Sequence, residues 1–234
     1  MNKPKEPKRR KQGIIREYFE LVAETAVFVF FIMTFVVQAF QIPSGSMEPT
    51  LLVGDFLLVN KLVYAPTVFP FEKFVLPHRD LKRRDIIVFK YPEDLTKDFV
   101  KRVIGLPGEK VEVRDKQVYI NDQPLEEKYK VHIYDQVYPK DTADPNLAVR
   151  DNFGPVVVPP GHVFAMGDNR DNSLDSRYWG FVPMTFIRGR PWMIYFSYKA
   201  ESTAFQKTGL RDRLSKIVSF LPKARWRRIF KFIR

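Results

Sequence analysis

The chain of 234 residues contains no cysteine, and 45% of its residues are hydrophobic and 15% aromatic. This composition predicts a folded protein and excludes disulfides, thiolate metal sites and a cysteine nucleophile. The net charge of +12 lies at the ends, because residues 1–16 carry +6 and residues 199–234 carry +9, which leaves −3 for residues 17–198. Because the folded part is not basic, no nucleic-acid partner is expected, whereas basic ends suit an anionic membrane surface.

The first predicted element is an apolar run over residues 21–40, whose single charge is Glu24. As an α-helix rising ~1.5 Å per residue, this run is long enough to span a bilayer's hydrocarbon core. We predict a basic cytoplasmic tail over residues 1–20 and a single transmembrane helix over residues 21–41, a buried helix of a soluble protein being the alternative. Seven Lys and Arg residues precede the run and none follows before Lys61. The positive-inside rule therefore places the N-terminus in the cytoplasm and the remainder on the exported side.

Short segments rich in β-branched and aromatic residues follow the apolar run, separated by turn signals. This pattern predicts a β-rich domain of mostly antiparallel strands over residues 42–199. The predicted strands cover residues 56–63, 85–91, 99–104, 111–120, 162–167 and 192–198.

Two segments do not fit this pattern. Residues 65–76 are apolar but interrupted by prolines, which predicts either a loop that dips into lipid or a loop that covers the core. Residues 200–234 form a basic amphipathic extension, and apolar residues recur in it at helical spacing from residue 209. Such spacing is typical of helices that lie on a membrane surface, a solvated tail being the alternative.

Three segments carry groups suited to catalysis. Pro43 and Pro49 stiffen a turn that presents Ser46. Alternation along a strand would place Lys101 beside Phe99 on an apolar face, where lost hydration lowers the pKa of the amine and makes it a possible general base. Residues 167–180 alternate acids, amides and arginines, which predicts a buried hydrogen-bonded loop. Taken singly, the first two segments are more typical of an ordinary turn and a surface lysine.

Other common catalytic patterns are absent from the sequence. The three histidines are scattered without an HExxH motif, and no GxSxG motif or glycine-rich phosphate loop occurs. Neither serine of the turn is followed three residues later by lysine. We therefore predict no metal and no cofactor.

Taken together, these segments resemble bacterial type I signal peptidase, a family of serine proteases with a Ser-Lys dyad. The resemblance covers roughly residues 40–200. It rests on four blocks in order: PSGSMEPTL at 43–51, RRDIIVFKYP at 83–92, KRVIGLPGE at 101–109 and GDNRDNSLDSRYWGFVP at 167–183.

The resemblance implies a role for each matching residue. Ser46 would be the nucleophile and Lys101 the general base, with the Ser44 hydroxyl and the Ser46 N–H as the oxyanion hole. Ser173 would hydrogen-bond Lys101 and orient it. Supporting roles fall to Asp168, Asp175 and Arg177. The residues that would shape pockets for small substrate side chains are Ile42, Pro43, Met47, Val88, Asp98, Phe99 and Val100.

The resemblance also implies a partly open antiparallel β-barrel and an enzyme of the bacterial inner membrane. Its substrates would be preproteins with signal peptides, cut after small residues of the Ala-x-Ala type, and membrane phospholipid would be a second partner. The chain departs from larger relatives by its single span, its short 121–161 stretch and its basic C-terminal extension. Two alternatives remain open: a self-cleaving repressor protease, which would need a DNA-binding domain, and an inactive membrane-tethered β scaffold.

Overall fold

The computed structural model of the protein describes residues 13–64, 78–200 and 223–233. Its first element is helix α1 (Ile14–Phe31), which continues as a π-helical segment over Ile32–Val36. Among the described residues, Arg16–Val36 is the one helical stretch long and apolar enough to cross a membrane, and none of it is buried inside the protein. The predicted loop over residues 65–76 lies outside the described residues.

The rest of the described chain is mainly β. In chain order the strands are β1 (Val37–Gln41), β2 (Asp55–Asn60), β3 (Ile86–Tyr91), β4 (Asp94–Gly105), β5 (Lys110–Arg114), β6 (Gln117–Ile120), β7 (Gln123–Pro124), β8 (Phe153–Val157), β9 (His162–Met166), β10 (Val182–Pro183), β11 (Ile187–Ser197) and β12 (Lys231–Phe232). Eight of these strands form one sheet in the order β1-β2-β11-β3-β4-β9-β10, with β12 also paired to β11. The other four form a second sheet in the order β7-β6-β5-β8.

The strand pairing confirms the predicted mainly antiparallel β class behind one N-terminal helix. Every ladder between these strands is antiparallel. In the part of the chain that the structure describes, the outer strands β1 and β10 of the larger sheet do not pair with each other, so this sheet is open.

The predicted bounds of the apolar helix need correction at both ends. The helix begins at Ile14 instead of residue 21 and ends at Val36 instead of residue 41. The backbone of Val37 is extended (φ −126°, ψ 141°). Strand β1 then pairs with β2 from Val37–Asn60 to Gln41–Phe56. These ladder hydrogen bonds with β2 replace the helical ones.

The predicted strand over residues 111–120 is wrong, because it is two strands of a hairpin. Between β5 and β6, Asp115 and Lys116 both have positive φ angles, 47° and 67°. Two consecutive left-handed residues are typical of the tight turns that connect antiparallel strands.

Strands β3 and β4 lie in the middle of the larger sheet, where both faces are covered. In β3, Ile86 and Val88 pack in one apolar cluster, and Ile87 and Phe89 pack in another on the opposite face. Strand β4 pairs with β3 along its length, so a side chain on β4 has a fixed position relative to the core.

The predicted helical spacing of the C-terminal extension is wrong for the residues that the structure describes there. Trp226–Arg228 form a single 3-10 turn, and β12 pairs with β11. The N–H of Ile233 donates to the Trp192 carbonyl at 2.9 Å. The backbone of this C-terminal segment thus forms its hydrogen bonds with β11, a partner that the spacing of apolar residues does not reveal.

Candidate active site

Ser46 lies in a tight turn directly after β1. The 3-10 turn Gly45–Met47 follows an extended Ser44 (φ −132°, ψ 156°). The Met47 side chain is buried and anchors the turn to the core. From the other side, Asn169 donates its N–H to the Ser46 carbonyl at 3.1 Å and its side-chain amide to the Gly45 carbonyl at 3.3 Å. The turn therefore holds the half-buried Ser46 between the core and the 167–177 loop.

Lys101 reaches the same point from β4. It pairs across the sheet with Ile87 and is only 4% exposed. Its Nζ lies 2.7 Å from Ser46 Oγ and 5.7 Å from the centroid of the Phe99 ring. Among the described residues, no carboxylate forms an ion pair with this amine.

The surroundings of Lys101 favour the neutral amine. Burial lowers its pKa from 10.5 to about 8, and the charges of nearby Asp175, Arg177 and Asp168 modify this effect, the acids raising the pKa and the arginine lowering it. A substantial neutral fraction therefore exists near physiological pH, and the amine can accept a proton from a hydroxyl within hydrogen-bond distance.

Asp175 and Arg177 form a buried ion pair beside the amine. Asp175 precedes the short helix α2 (Ser176–Trp179) and accepts from Arg177 Nε and Nη2 at 2.9 Å each. It also accepts from the Gly167 N–H at 3.0 Å. Burial alone would raise the pKa of Asp175, but the cations of Arg177 and Lys101 and these hydrogen bonds hold it below its usual value. A charged pair thus fixes the 167–177 loop next to Lys101.

Asp168 and Arg102 form a second buried pair on the opposite face of β4. The carboxylate accepts from Arg102 Nε at 2.8 Å and Nη2 at 2.7 Å, and from Thr50 Oγ1 at 2.5 Å. The guanidinium also lies 4.0 Å from the centroid of the Tyr129 ring. Asp168 therefore connects β4 to the segment that follows Ser46.

Ser173 lies near Ser46 and Lys101, but its predicted hydrogen bond to Lys101 is not formed in this structure. The buried Ser173 Oγ has no hydrogen-bond partner among the residues that the structure describes, because the amine is directed to Ser46. Ser173 instead packs against Gly167, where an added Cβ would lie 2.3 Å from Ser173 Oγ and 2.4 Å from the Ser46 carbonyl oxygen. Only glycine fits at position 167.

A cleft of about 570 Å³ opens beside the Ser46 hydroxyl. Most of the predicted substrate-binding residues line it: Ile42, Pro43, Met47, Asp98, Phe99 and Val100. Val88 does not, because it is fully buried in the central strand and packs beneath the cleft with Ile42 and Met47. Ser44, Ser173 and Leu174 also line the cleft, around Ser46 and Lys101.

Several residues that build the site had no role in the sequence prediction. Asn169, Gly167, Thr50 and Arg102 lie inside the matching blocks, but their spacing shows no chemistry. Their contacts form only in the folded structure, where the 167–177 loop packs against the Ser46 turn. The prediction of a buried polar loop is confirmed, since the acidic and arginine side chains of residues 168–177 are buried. Within the described residues, no cluster of three or more His, Asp or Glu side chains could hold a metal ion.

Comparison with known proteins gives a consistent family. The model of the family "Signal peptidase, peptidase S26" matches residues 15–196. A signal peptidase I from Pseudomonas fluorescens is 36% identical over 215 residues, covering 82% of this chain and 76% of the relative. A signal peptidase I from Aquifex aeolicus is 36% identical over 249 residues, covering 87% and 93%.

A crystal structure of a signal peptidase I from Enterococcus faecalis is also similar, with 36% sequence identity. The match covers 48% of this chain and 97% of that chain, with a TM-score of 0.37. The family model spans the apolar helix, the Ser46 turn, β4 and the 167–177 loop together. The chain therefore belongs to the signal peptidase family, peptidase S26.

Proposed function

We propose that this signal peptidase is a membrane-anchored serine endopeptidase in which Ser46 and Lys101 form a catalytic dyad that removes signal peptides from exported preproteins. The observation that carries the proposal is the 2.7 Å separation of Lys101 Nζ and Ser46 Oγ in a site where the amine is buried. A lysine in such surroundings is a general base, because desolvation favours its neutral form.

In the first step, the neutral Lys101 amine takes the proton of the Ser46 hydroxyl as Oγ attacks the scissile carbonyl. The negative charge that develops on the carbonyl oxygen is stabilised by the Ser44 hydroxyl and the Ser46 N–H. Ser46 is the second residue of its helical turn, and the first N–H groups of a turn have no partner within it. Ser44 is exposed at the cleft, where its hydroxyl is able to donate.

Lys101 then donates its new proton to the leaving amine of the mature protein, which leaves an acyl enzyme on Ser46. A water molecule, deprotonated by the same amine, attacks the ester carbonyl and the bond to Ser46 Oγ breaks. Oγ takes the proton back from Lys101, and the signal peptide is released as its carboxylate. The rate follows the neutral fraction of Lys101, so it falls about tenfold for each pH unit below about 8.

Ser173 has a role in this cycle that fits its unpartnered hydroxyl. A protonated lysine carries three N–H donors, one more than the neutral amine. Within the described part of the chain, the Ser173 Oγ is an acceptor without a hydrogen-bond partner. We assign it to the ammonium form of Lys101, which it holds in orientation between the two proton transfers. The Asp175–Arg177 pair keeps the loop that carries Ser173 in place.

Selection of small residues follows from the floor of the cleft. Ile42 and Met47 line the cleft and are almost fully buried, so we assign to these two side chains the limit on the size of substrate residues. An extended substrate placed between residues 41–44 and the 98–101 part of β4 would direct alternate side chains at this floor. Cleavage after an Ala-x-Ala sequence would be the result, because bulkier residues at the first and third positions would not fit.

The location follows from the anchor. We assign the chain to the bacterial inner membrane, with the N-terminus in the cytoplasm and the catalytic domain on the exported side, because the seven Lys and Arg residues before residue 17 are followed by none until Lys61. Lys61 Nζ donates to the Thr34 carbonyl at 2.6 Å near the helix end. Strand β1 follows the helix without a linker, so Ser46 is held near the membrane surface, where signal peptides emerge.

Membrane phospholipid is the second proposed partner. The described end of the C-terminal extension exposes Trp226, Phe230 and Phe232 among arginines and lysines. Exposed aromatic and cationic side chains together suit the interface of an anionic membrane.

A precursor-cleavage assay tests the proposed function. The full chain in detergent micelles is expected to cut a secretory precursor after its Ala-x-Ala sequence, as read from the N-terminus of the product. Ser46→Ala is expected to leave the precursor intact while retaining the far-UV circular dichroism of the parent protein. Cleavage by Ser46→Ala, or product N-termini that follow large residues, would refute the dyad or the specificity respectively.

A further inference from the structure

The C-terminal segment, residues 223–233, is attached to the catalytic sheet at several points along β11. The Arg225 N–H donates to the Ser197 carbonyl at 2.8 Å, and the Lys199 N–H donates to the Lys223 carbonyl at the same distance. Further along, β12 pairs with β11, and Ile233 packs against the apolar cluster that contains Met47. This part of the basic extension is therefore integrated into the fold.

The centre of this attachment is a buried carboxylate. Asp55, at the start of β2, is fully buried and accepts from the Ser197 hydroxyl at 2.6 Å and the Leu52 N–H at 2.8 Å. Arg228 donates to it from Nε at 3.2 Å and from Nη2 at 2.6 Å. Among the described residues, the cations paired with Asp55 come from the C-terminal segment alone, Arg228 closely and Arg225 at 3.8 Å.

Arg228 also contacts the chain that leaves the Ser46 turn. Its Nη2 donates to the Thr50 carbonyl at 2.9 Å. The Thr50 hydroxyl in turn donates to Asp168 at 2.5 Å, and the next residue, Asn169, holds the Ser46 carbonyl through its N–H. Arg228 thus fixes Thr50 and Asp55 together, at the two ends of the bend that connects the turn to β2.

Arg227 provides the contrast within the same turn. It is exposed and makes no hydrogen bond or ion pair with the residues that the structure describes. Arg228, whose side chain is 15% exposed, points inward to Asp55. The two neighbours carry the same charge, so any attraction to an anionic surface would act on both, whereas the internal contacts belong to Arg228.

We propose that Arg228 is a positioning residue for Ser46, acting through Thr50 and Asp55, so that the C-terminal segment is a working part of the catalytic domain. This inference rests on the proposed dyad. Loss of the guanidinium would let the 47–55 bend relax and move Ser46 Oγ away from the Lys101 amine. A displacement of about 1 Å at a reacting group reduces the rate by up to about a hundredfold.

The test compares Arg228→Gln with Arg227→Gln in the full chain, in micelles of an uncharged detergent so that membrane attraction is absent. Precursor cleavage by Arg228→Gln is expected to lose kcat by about tenfold or more with little change in KM. The midpoint of its acid limb is expected to stay in place, because the Lys101 surroundings are unaltered. Arg227→Gln is expected to stay within about twofold of the parent. Arg228→Lys, which keeps a cation for Asp55, is expected to recover part of the loss.

Reduced folding is separated from reduced positioning by titrating active sites in each preparation. If kcat per active site in Arg228→Gln equals that of the parent, or if both glutamine variants lose the same amount, the proposal is overturned. Failure of the dyad itself has a different signature, since the parent and Arg227→Gln would then cleave no precursor or Ser46→Ala would still cleave it.

Discussion

The two faces of β4 bury two neighbouring cations in different surroundings, although Lys101 and Arg102 are each only 4% exposed. On one face, Lys101 lies beside Phe99 and has a serine hydroxyl as its close polar neighbour. On the other face, Arg102 has both oxygens of Asp168 and the face of an aromatic ring.

The difference follows from what each side chain does when it loses water. An arginine keeps its proton in any protein, so a buried guanidinium needs a carboxylate close by. A lysine is able to release its proton instead, and burial then favours the neutral base. The strand thus pairs the arginine with the carboxylate of Asp168 and places the lysine beside a serine hydroxyl, where the proposed mechanism has it transfer a proton.

The largest expected effect comes from making the face of β4 that carries Lys101 (the lysine face) resemble the face that carries Arg102 (the arginine face). Lys101→Arg keeps a cation within reach of Ser46 but removes the proposed general base, and Lys101→Ala removes both the cation and the proposed base. Both variants are expected to lose about 10²–10⁴-fold in kcat for precursor cleavage. The matched control is Lys97→Ala, on the same strand but with a side chain 64% exposed, which should leave cleavage unaltered. Retention of a tenth of parental activity by Lys101→Arg would mean that another group is the base.

The next effect concerns the stability of the arginine face. Asp168→Ala leaves the buried Arg102 charge unpaired and removes the acceptor of the Thr50 hydroxyl. The free energy of unfolding is expected to fall by about 3–5 kcal/mol, measured by denaturant unfolding in micelles. Asp94→Ala removes an ion pair on the exposed part of the same strand, with Lys97, and should have a much smaller effect. Equal losses in the two variants would show that burial does not distinguish these pairs.

The smallest expected effect has the opposite sign. The folded-state pKa of Lys101 lies near 8, below its ordinary 10.5. Between these two pH values the unfolded chain binds a proton that the folded chain releases, so the free energy of unfolding rises with pH across that window. Below about pH 8 the destabilisation caused by burying the charged amine reaches its full value. Lys101→Met removes the cost of burying the charged amine, about 3 kcal/mol, and also loses a hydrogen bond that contributes about 1 kcal/mol. The free energy of unfolding at pH 7 is therefore expected to rise by about 2 kcal/mol.

Denaturant unfolding at pH 7 and again above pH 10 measures this gain. The advantage of Lys101→Met should disappear at the higher pH, where the amine is neutral in both states. A variant that is less stable than the parent at pH 7 would contradict the idea that the lysine face is electrostatically strained.

The sequence was sufficient for features that depend on local periodicity. Alternation along a strand correctly placed Lys101 beside Phe99, because side chains two residues apart share a face whatever the tertiary fold. The apolar run before residue 37 was recognisable because its length and composition need no partner within the protein. The alternating acids and arginines after Gly167 predicted a buried polar loop for a different reason, because opposite charges that are close in sequence are able to pair when they are buried.

Features that depend on partners distant in the sequence could not be predicted from local periodicity. The helix stops at Val36 because β2 offers a ladder to the residues that follow, and the turn at Asp115 depends on single backbone angles. Val88 was assigned to the cleft although it lies in a strand with both faces buried. The contact of Arg228 with Asp55 joins residues 173 positions apart, which no spacing in the sequence predicts.

The most direct measurement is the titration of the Lys101 side chain itself, followed by the ¹³C chemical shift of its Cε in lysine-labelled protein. The signal is assigned by its absence from Lys101→Arg. A midpoint near 8 is expected, with the ionised form predominant below that pH and the neutral form above it. A midpoint near the ordinary lysine value of 10.5 would mean that the amine is charged throughout the working range and is not the base that activates Ser46.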